Sequence, residues 1–257
     1  MQNIKTKILL NRWELETILK IILFVQIIIN LFSFNYPKWV TLVLPIITLF
    51  ELSLLVMFYV VITRIESEIL QNLDIEVLGK YISNIERRQF KGRSKNIYLF
   101  KLSNYYYILG QFEKSIELLK TIEFEKLPSG PYSALDYYFQ AYLSRVKMKR
   151  WDKIENIKNH FLSYQSNKMS EYRKKEFYTT FVETFDKLFI QKSSVSNLVL
   201  PENNPYEYVR AHYLYALNAL NHADEIKAKS EFQKIIDYSD KLYMVKEARE
   251  WLNNNQM

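Results

Sequence analysis

Two polar side chains stand inside the long apolar stretches near the N-terminus. Gln26 lies in the stretch 18–34, and Glu51 lies near the middle of the stretch 39–62. Polar and ionisable groups inside a membrane usually face protein rather than lipid, so each marks a buried contact or a functional site. If the stretches cross a membrane in opposite directions, we expect Gln26 and Glu51 to lie at similar depth and to hydrogen-bond.

This intramembrane polar pair, Gln26 and Glu51, has two interpretations. The first is that it fixes helix packing or oligomerisation. The second is that it forms a proton or substrate site. We favour packing, because two spans leave little room for a pathway unless many copies assemble.

The rest of the chain has no residue pattern that enzymatic chemistry requires. The sequence contains no glycine-rich phosphate loop, no GxSxG motif and no HExxH motif. With 0 Cys, disulfides, thiolate metal sites and a cysteine nucleophile are excluded. The 3 histidines, His160, His212 and His222, are too scattered for a metal cluster. We therefore predict no catalytic residue, no metal site and no cofactor.

The elements that must position Gln26 and Glu51 are two predicted transmembrane helices, at 17–36 and 39–62. A hydrocarbon core of about 30 Å requires a helix of about 20 apolar residues, and the short connection requires an antiparallel hairpin over 17–63. Its outer ends carry Lys5, Lys7, Arg12, Lys20 and Arg64, whereas its loop carries Lys38. The positive-inside rule then puts segment 1–16 and both termini on the cytoplasmic side of the cytoplasmic (inner) membrane.

Residues 64–95 are predicted to form a juxtamembrane helical linker. Apolar residues recur at every fourth position from Ile65 to Ile85, which is typical of one amphipathic helix or two short ones. The linker ends in a first basic cluster of Arg87, Arg88, Lys91, Arg93 and Lys95. These side chains either contact anionic lipid or are solvated helix ends, and we favour the second interpretation.

A second basic cluster consists of Arg145, Lys147, Lys149, Arg150 and Lys153. We interpret it in the same way, because mixed charge is the norm on helical surfaces. Nucleic-acid binding is not expected, since the aromatic residues lie in apolar stripes rather than among the basic residues.

Residues 96–129 contain two amphipathic segments around Gly110, and Pro128 follows the second. Their order of large, small and aromatic residues resembles the tetratricopeptide repeat, a helix–turn–helix unit of about 34 residues. The matching positions are Leu99, Leu102, Ser103, Tyr106, Gly110, Phe112, Ser115, Leu119, Ile122 and Pro128. Weaker copies of the pattern lie near 135–168 and near 209–242. Lys149 stands at the turn-glycine position of the first copy, and Ala223 stands at that of the second.

The predicted fold class is therefore all-α. With 4 Gly and 6 Pro in 257 residues, the composition also favours long helices over turn-rich sheets. We expect the N-terminal hairpin and linker to be followed, over 96–257, by a tetratricopeptide-like α-solenoid of stacked helical hairpins. A capping helix is predicted at 241–252.

The resemblance implies a concave groove made by the first helix of each pair. By analogy, Phe100, Asn104, Tyr107, Tyr213 and Leu217 would line it and contact a cytoplasmic protein or peptide. A membrane-anchored adaptor is thus the first functional expectation. One alternative is a small membrane protein that acts through its hairpin, as a transporter accessory subunit or an immunity-type factor. Another is a structural homo-oligomer assembled through helix 65–85.

Overall fold

The computed structural model describes residues 2–31, 37–87, 92–123, 133–165 and 169–255. Within these ranges the regular structure is helical and no strand occurs, which confirms the all-α class. The α-helices are α1 (Gln2–Leu10), α2 (Arg12–Leu31), α3 (Lys38–Gln71), α4 (Ile75–Glu86), α5 (Gly92–Ile108), α6 (Phe112–Lys120), α7 (Ala134–Lys147), α8 (Ile154–Ser163), α9 (Met169–Phe185), α10 (Pro205–Asn221), α11 (Glu225–Gln233) and α12 (Tyr243–Asn254). A π-helical turn, Asp186–Ile190, continues α9. The chain divides into two compact units, residues 1–84 and 85–257.

In the first unit, α2 and α3 lie antiparallel. Asn30 at the end of α2 donates to Thr48 near the start of α3. At the other end, the Tyr59 hydroxyl donates to Glu16 over 2.6 Å. Among the described residues, one helix is long and apolar enough to cross a membrane, the segment Val43–Ile69 of α3. The described part of α2 carries Glu14, Glu16 and Lys20, and positions 32–36 of the predicted first span lie outside the described residues.

The predicted linker 64–95 begins as the last turns of α3, which ends at Gln71. Leu73 then takes a left-handed conformation (φ 54°), and α4 starts at Ile75. A buried guanidinium holds α4 in place, since Arg12 pairs with Glu66 and donates to the Tyr81 hydroxyl over 2.7 Å. The 64–85 region is therefore two helices rather than one, joined by a left-handed residue.

In the second unit, three helix pairs turn in the same way: α5–α6, α7–α8 and α10–α11. A left-handed residue stands in each turn: Gly110 (φ 76°), Lys149 (φ 55°) and Ala223 (φ 57°). In each turn its N–H bonds to the carbonyl three residues earlier, and the next N–H bonds to the carbonyl five residues earlier, over 2.8–3.2 Å. This is the Schellman pattern of helix ends. The three predicted turn positions are therefore correct, whereas Pro128 lies outside the described residues.

Small hydroxyl residues join successive helices of the first two pairs. Ser103 on α5 bonds to Ser115 on α6 over 2.9 Å, and Ser115 bonds to Ser144 on α7 over 3.1 Å. All three side chains are completely buried. Since buried hydroxyls need partners, this chain both satisfies them and lets the three helices approach closely.

The last helix, α12, contacts the first pair of the same unit. The hydroxyls of Tyr107 and Tyr243 lie 3.2 Å apart although 136 positions separate them in sequence. A Cβ added to Gly110 would come within 2.8 Å of the Tyr243 Cβ. In a strict solenoid each repeat contacts only its neighbours, so this contact departs from the predicted open stack.

The left-handed turns predict opposite effects of two matched substitutions. Ala223→Gly should stabilise the protein by about 0.5–1 kcal/mol, because an L-residue is strained at positive φ whereas glycine is not. Gly110→Ala should destabilise it by at least about 1 kcal/mol, because it adds both that strain and the Tyr243 clash. Urea unfolding of the full-length protein, followed by far-UV circular dichroism, measures both. Equal effects of the two substitutions would contradict this account of the turns.

Candidate functional site

The contact surface between α2 and α3 is a narrow seam. The half-buried positions follow one another at intervals of three and four along each helix. They are Glu16, Leu19, Leu23, Gln26 and Asn30 on α2, and Leu44, Thr48, Glu51, Leu55 and Phe58 on α3. This is the spacing of antiparallel knobs-into-holes packing. Most of the remaining surface of both helices is apolar and exposed, as at Phe24 (63%), Leu49 (66%) and Val60 (63%).

Gln26 and Glu51 both lie on this seam. The Asn30–Thr48 bond sets the register, and one turn further along each helix brings Gln26 level with Glu51. Gln26 Nε2 and Glu51 Oε2 are withdrawn from solvent, and neither atom has a hydrogen-bond partner among the described residues. The predicted bond between these side chains stays a prediction, and the structure shows two buried polar atoms at the same level of one seam.

The five predicted groove residues differ in their exposure. Phe100, Tyr107 and Tyr213 are buried, with 8%, 3% and 1% of their surfaces exposed. Asn104 and Leu217 are half-buried. Of the five, only Asn104 and Leu217 therefore keep surface that a partner could contact without rearrangement, whereas the three aromatic residues pack inside the unit.

Aromatic residues, Tyr213 among them, surround an ammonium group that we expected on the surface, that of Lys147. Only 7% of the Lys147 side chain is exposed, and its Nζ lies 2.9 Å from both carboxylate oxygens of Glu247 and from the Tyr213 hydroxyl. The ring centroids of Tyr243 and Phe189 lie 4.7 and 5.0 Å from the same nitrogen. The face of an aromatic ring attracts a cation, so Lys147 is held by one carboxylate and several rings.

Burial shifts the pKa values in this cluster. Burial lowers the pKa of Lys147, and the charge of Glu247 opposes that shift. Burial also raises the pKa values of Tyr213 and Tyr243 well above the ordinary tyrosine value, and the Glu247 carboxylate adds to the shift at Tyr213. Since Lys147, Tyr213 and Glu247 bond to one another across α7, α10 and α12, the cluster holds these helices together.

The two basic clusters differ from the expectation of solvated side chains at two described positions. Arg87, Lys95, Lys149, Arg150 and Lys153 are exposed, as expected for helix ends. Arg145 is half-buried and donates to the Lys153 carbonyl over 3.2 Å, and Lys147 is buried, which corrects the prediction at both positions. The side chains of Arg88, Lys91 and Arg93 lie outside the described residues.

His212 has carboxylate partners that sequence reasoning missed. Its Nδ1 lies 2.5 Å from Glu231 on α11, and its Nε2 lies 3.6 Å from Glu202. The hydrogen bonds of Glu231 to Lys234 and His212 lower its pKa against the opposing effect of burial. Only the pairing of α10 with α11 reveals this contact, because 19 positions separate His212 from Glu231. In the described part of the chain, no group of three or more His, Cys, Asp or Glu side chains could hold a metal ion.

No protein family, characterised protein or solved structure matches this chain.

The Lys147 cluster predicts an asymmetry between its two charged partners. Glu247→Ala should destabilise the protein by about 3 kcal/mol, because it leaves a buried ammonium unpaired. Lys147→Met should cost less, because it removes the buried charge, keeps most of the side-chain volume and leaves Glu247 partly solvated.

The neighbouring pair Lys246–Glu250 supplies the control on the same helix. Its nitrogen and oxygen are 3.9 Å apart and its side chains are 70% and 61% exposed, so Glu250→Ala should change stability by less than about 0.5 kcal/mol. Urea unfolding of the three variants measures the order. A smaller loss for Glu247→Ala than for Glu250→Ala would contradict the role assigned to Lys147.

Proposed function

We propose that the protein is a membrane-anchored adaptor for protein–protein interaction. The observation that supports it most directly is the contrast between the two units. The helices α2 and α3 expose apolar side chains on most of their surface, whereas residues 85–257 bury most of theirs in an interior of their own. Contiguous exposed apolar surface on this scale is typical of a membrane or an interface, and a separately folded helical unit is suited to holding a partner.

We further propose that α2 and α3 form a transmembrane hairpin with both termini in the cytoplasm. The antiparallel contacts of Asn30 with Thr48 and of Glu16 with Tyr59 support a hairpin. The basic residues on the outer ends support the orientation. In this arrangement the first basic cluster follows the membrane segment closely, so Arg87 and Lys95 are candidates for contact with anionic lipid.

Single cysteines can test this topology, because the chain has no cysteine of its own. In intact host cells a membrane-impermeant maleimide should label Lys38→Cys, and should label Lys7→Cys and Asn255→Cys only after permeabilisation. Labelling of positions 7 and 38 together, without position 255, would mean that α3 alone crosses the membrane. Labelling of all three positions in intact cells would contradict an anchored cytoplasmic unit.

The second unit would recognise its partner through a tetratricopeptide-like arrangement of helix pairs. Three pairs with the same turn geometry support this proposal. The contact of α12 with α5 limits how far the unit resembles an open stack. Of the predicted groove residues, Asn104 on α5 and Leu217 on α10 keep exposed surface, and we assign the partner-binding role to them. The partner would be a protein or peptide, without a cofactor or nucleic acid.

The adaptor proposal predicts that a partner is lost when the groove surface changes. The full-length protein, purified in mild detergent, should recover a specific soluble protein, and Asn104→Ala with Leu217→Ala should reduce that recovery at least about tenfold, which is the loss of about 1.4 kcal/mol of binding. Glu155→Ala, an exposed position on α8, is the control and should leave recovery unchanged. Equal recovery of the partner by the groove variant and by the wild type would contradict the adaptor proposal.

The seam between α2 and α3 favours a second candidate function, in which the hairpin itself acts. Two buried polar atoms at one membrane level, on Gln26 and Glu51, are the observation behind it. In the same recovery experiment, Glu51→Leu should then lose a membrane-protein partner, whereas Glu51→Gln should keep it by preserving a hydrogen-bonding side chain. If only the groove variant loses a partner, the hairpin serves as an anchor.

A further inference from the structure

One face of α10 binds the main chain of an extended segment. Residues 193–200, here called the strap, run along this face after the π-helical turn. The Asn218 amide accepts the Val195 N–H over 2.7 Å and donates to the Val195 carbonyl over 3.0 Å. The Tyr215 hydroxyl accepts the Leu200 N–H over 2.9 Å, and the Asn221 amide donates to the Ser193 carbonyl over 3.2 Å. All these bonds are to backbone atoms, so they do not depend on which side chains the bound segment carries.

The strap is held mainly by these bonds rather than by buried side chains. Val199 is 85% exposed, and Leu198 and Leu200 are only half-buried. Residues 196 and 197 form a turn, and the backbone N–H of Val199 has no backbone hydrogen-bond partner among the described residues. Segments with few buried apolar contacts open at low free-energy cost, so another chain can compete for the same side chains of α10.

The surface beside the strap has room for such a competitor. A groove of about 550 Å³ lies between the strap and the α10–α11 pair, lined by Asn218, His222 and Lys227 among others. Its lining is mostly polar, and two of its side chains, Tyr215 and Asn218, already bind the main chain of the strap.

We propose that this face of α10 is a binding site for an uncharged, extended peptide with apolar side chains, and that the strap is its built-in competitor. We infer the chemistry of the ligand from the strap that occupies this face. The strap has the sequence SSVSNLVL, which contains no charged residue. Main-chain bonds to Tyr215, Asn218 and Asn221 hold the peptide in place of the strap. The site shares α10 with Leu217 but does not include it, and Asn104 lies on α5. The inference rests on the proposed function only in that residues 85–257 bind proteins.

The test uses a fluorescent synthetic peptide of residues 193–201 and the full-length protein in detergent. Val195→Pro removes the N–H that Asn218 accepts, so it weakens the strap. Peptide binding measured by anisotropy should tighten at least about tenfold, because the apparent affinity rises with the fraction of open sites. Val199→Pro is the matched control, since that N–H has no partner, and it should bind like the wild type. Adding Asn218→Ala to Val195→Pro should abolish the gain.

Two results would overturn the proposal: equal affinity of Val195→Pro and Val199→Pro, or tight binding that survives Asn218→Ala. If Val195→Pro does not fold, amide exchange at Val195 in the wild type decides instead. Saturating peptide should accelerate that exchange, and unchanged exchange overturns the competition. A partner that depends on Asn104 and Leu217 while the peptide fails to bind would refute this site and leave the adaptor proposal standing.

Discussion

The arrangement of residues 85–257 depends on keeping one ammonium group, that of Lys147, out of water. Moving a charge from water into a protein interior costs several kcal/mol unless a counter-charge and hydrogen bonds accompany it. Here Glu247 supplies the counter-charge and Tyr213 a hydroxyl, so α12 must dock beside α7 and α10. Once α12 is docked, Tyr243 lies against the turn of the first pair, where only Gly110 leaves room for it.

The same contact explains why the second unit differs from an open stack of repeats. The family pattern predicts a concave surface at Tyr107 and Tyr213, and these are the residues against which the Tyr243 ring packs, at centroid distances of 5.5 and 5.8 Å. The chain therefore covers part of its own predicted groove with its last helix. A partner meets the edges of that surface, and this leaves the outer face of α10 as a second place where a peptide can be bound.

Local features of this fold were predictable from the sequence, and long-range ones were not. Apolar periodicity and Gly110 indicated the first helix pair, and alignment with it indicated Lys149 and Ala223 as turn residues, although neither is a glycine. Lys147 stands among five basic residues, and no local pattern distinguishes it from its exposed neighbours Lys149 and Arg150. Its partner Glu247 lies 100 positions away, so only the packing of α12 reveals the pair.

Between α2 and α3 the usual relation between polarity and burial is weakened, and the charges there are consistent with this. Polar and apolar residues share the seam while large apolar side chains face outward, as expected where the surrounding solvent is lipid. Two of the charged residues that make α2 less apolar than α3, Glu16 and Lys20, form a pair. Glu16 accepts from Lys20 over 2.5 Å and from the Tyr59 hydroxyl, and pairing of this kind lowers the cost of placing charge near the membrane surface. The cost of such charges depends on their partners as well as on their number, so the pairing of Glu16 with Lys20 and Tyr59 supports the proposal that α2 also enters the membrane.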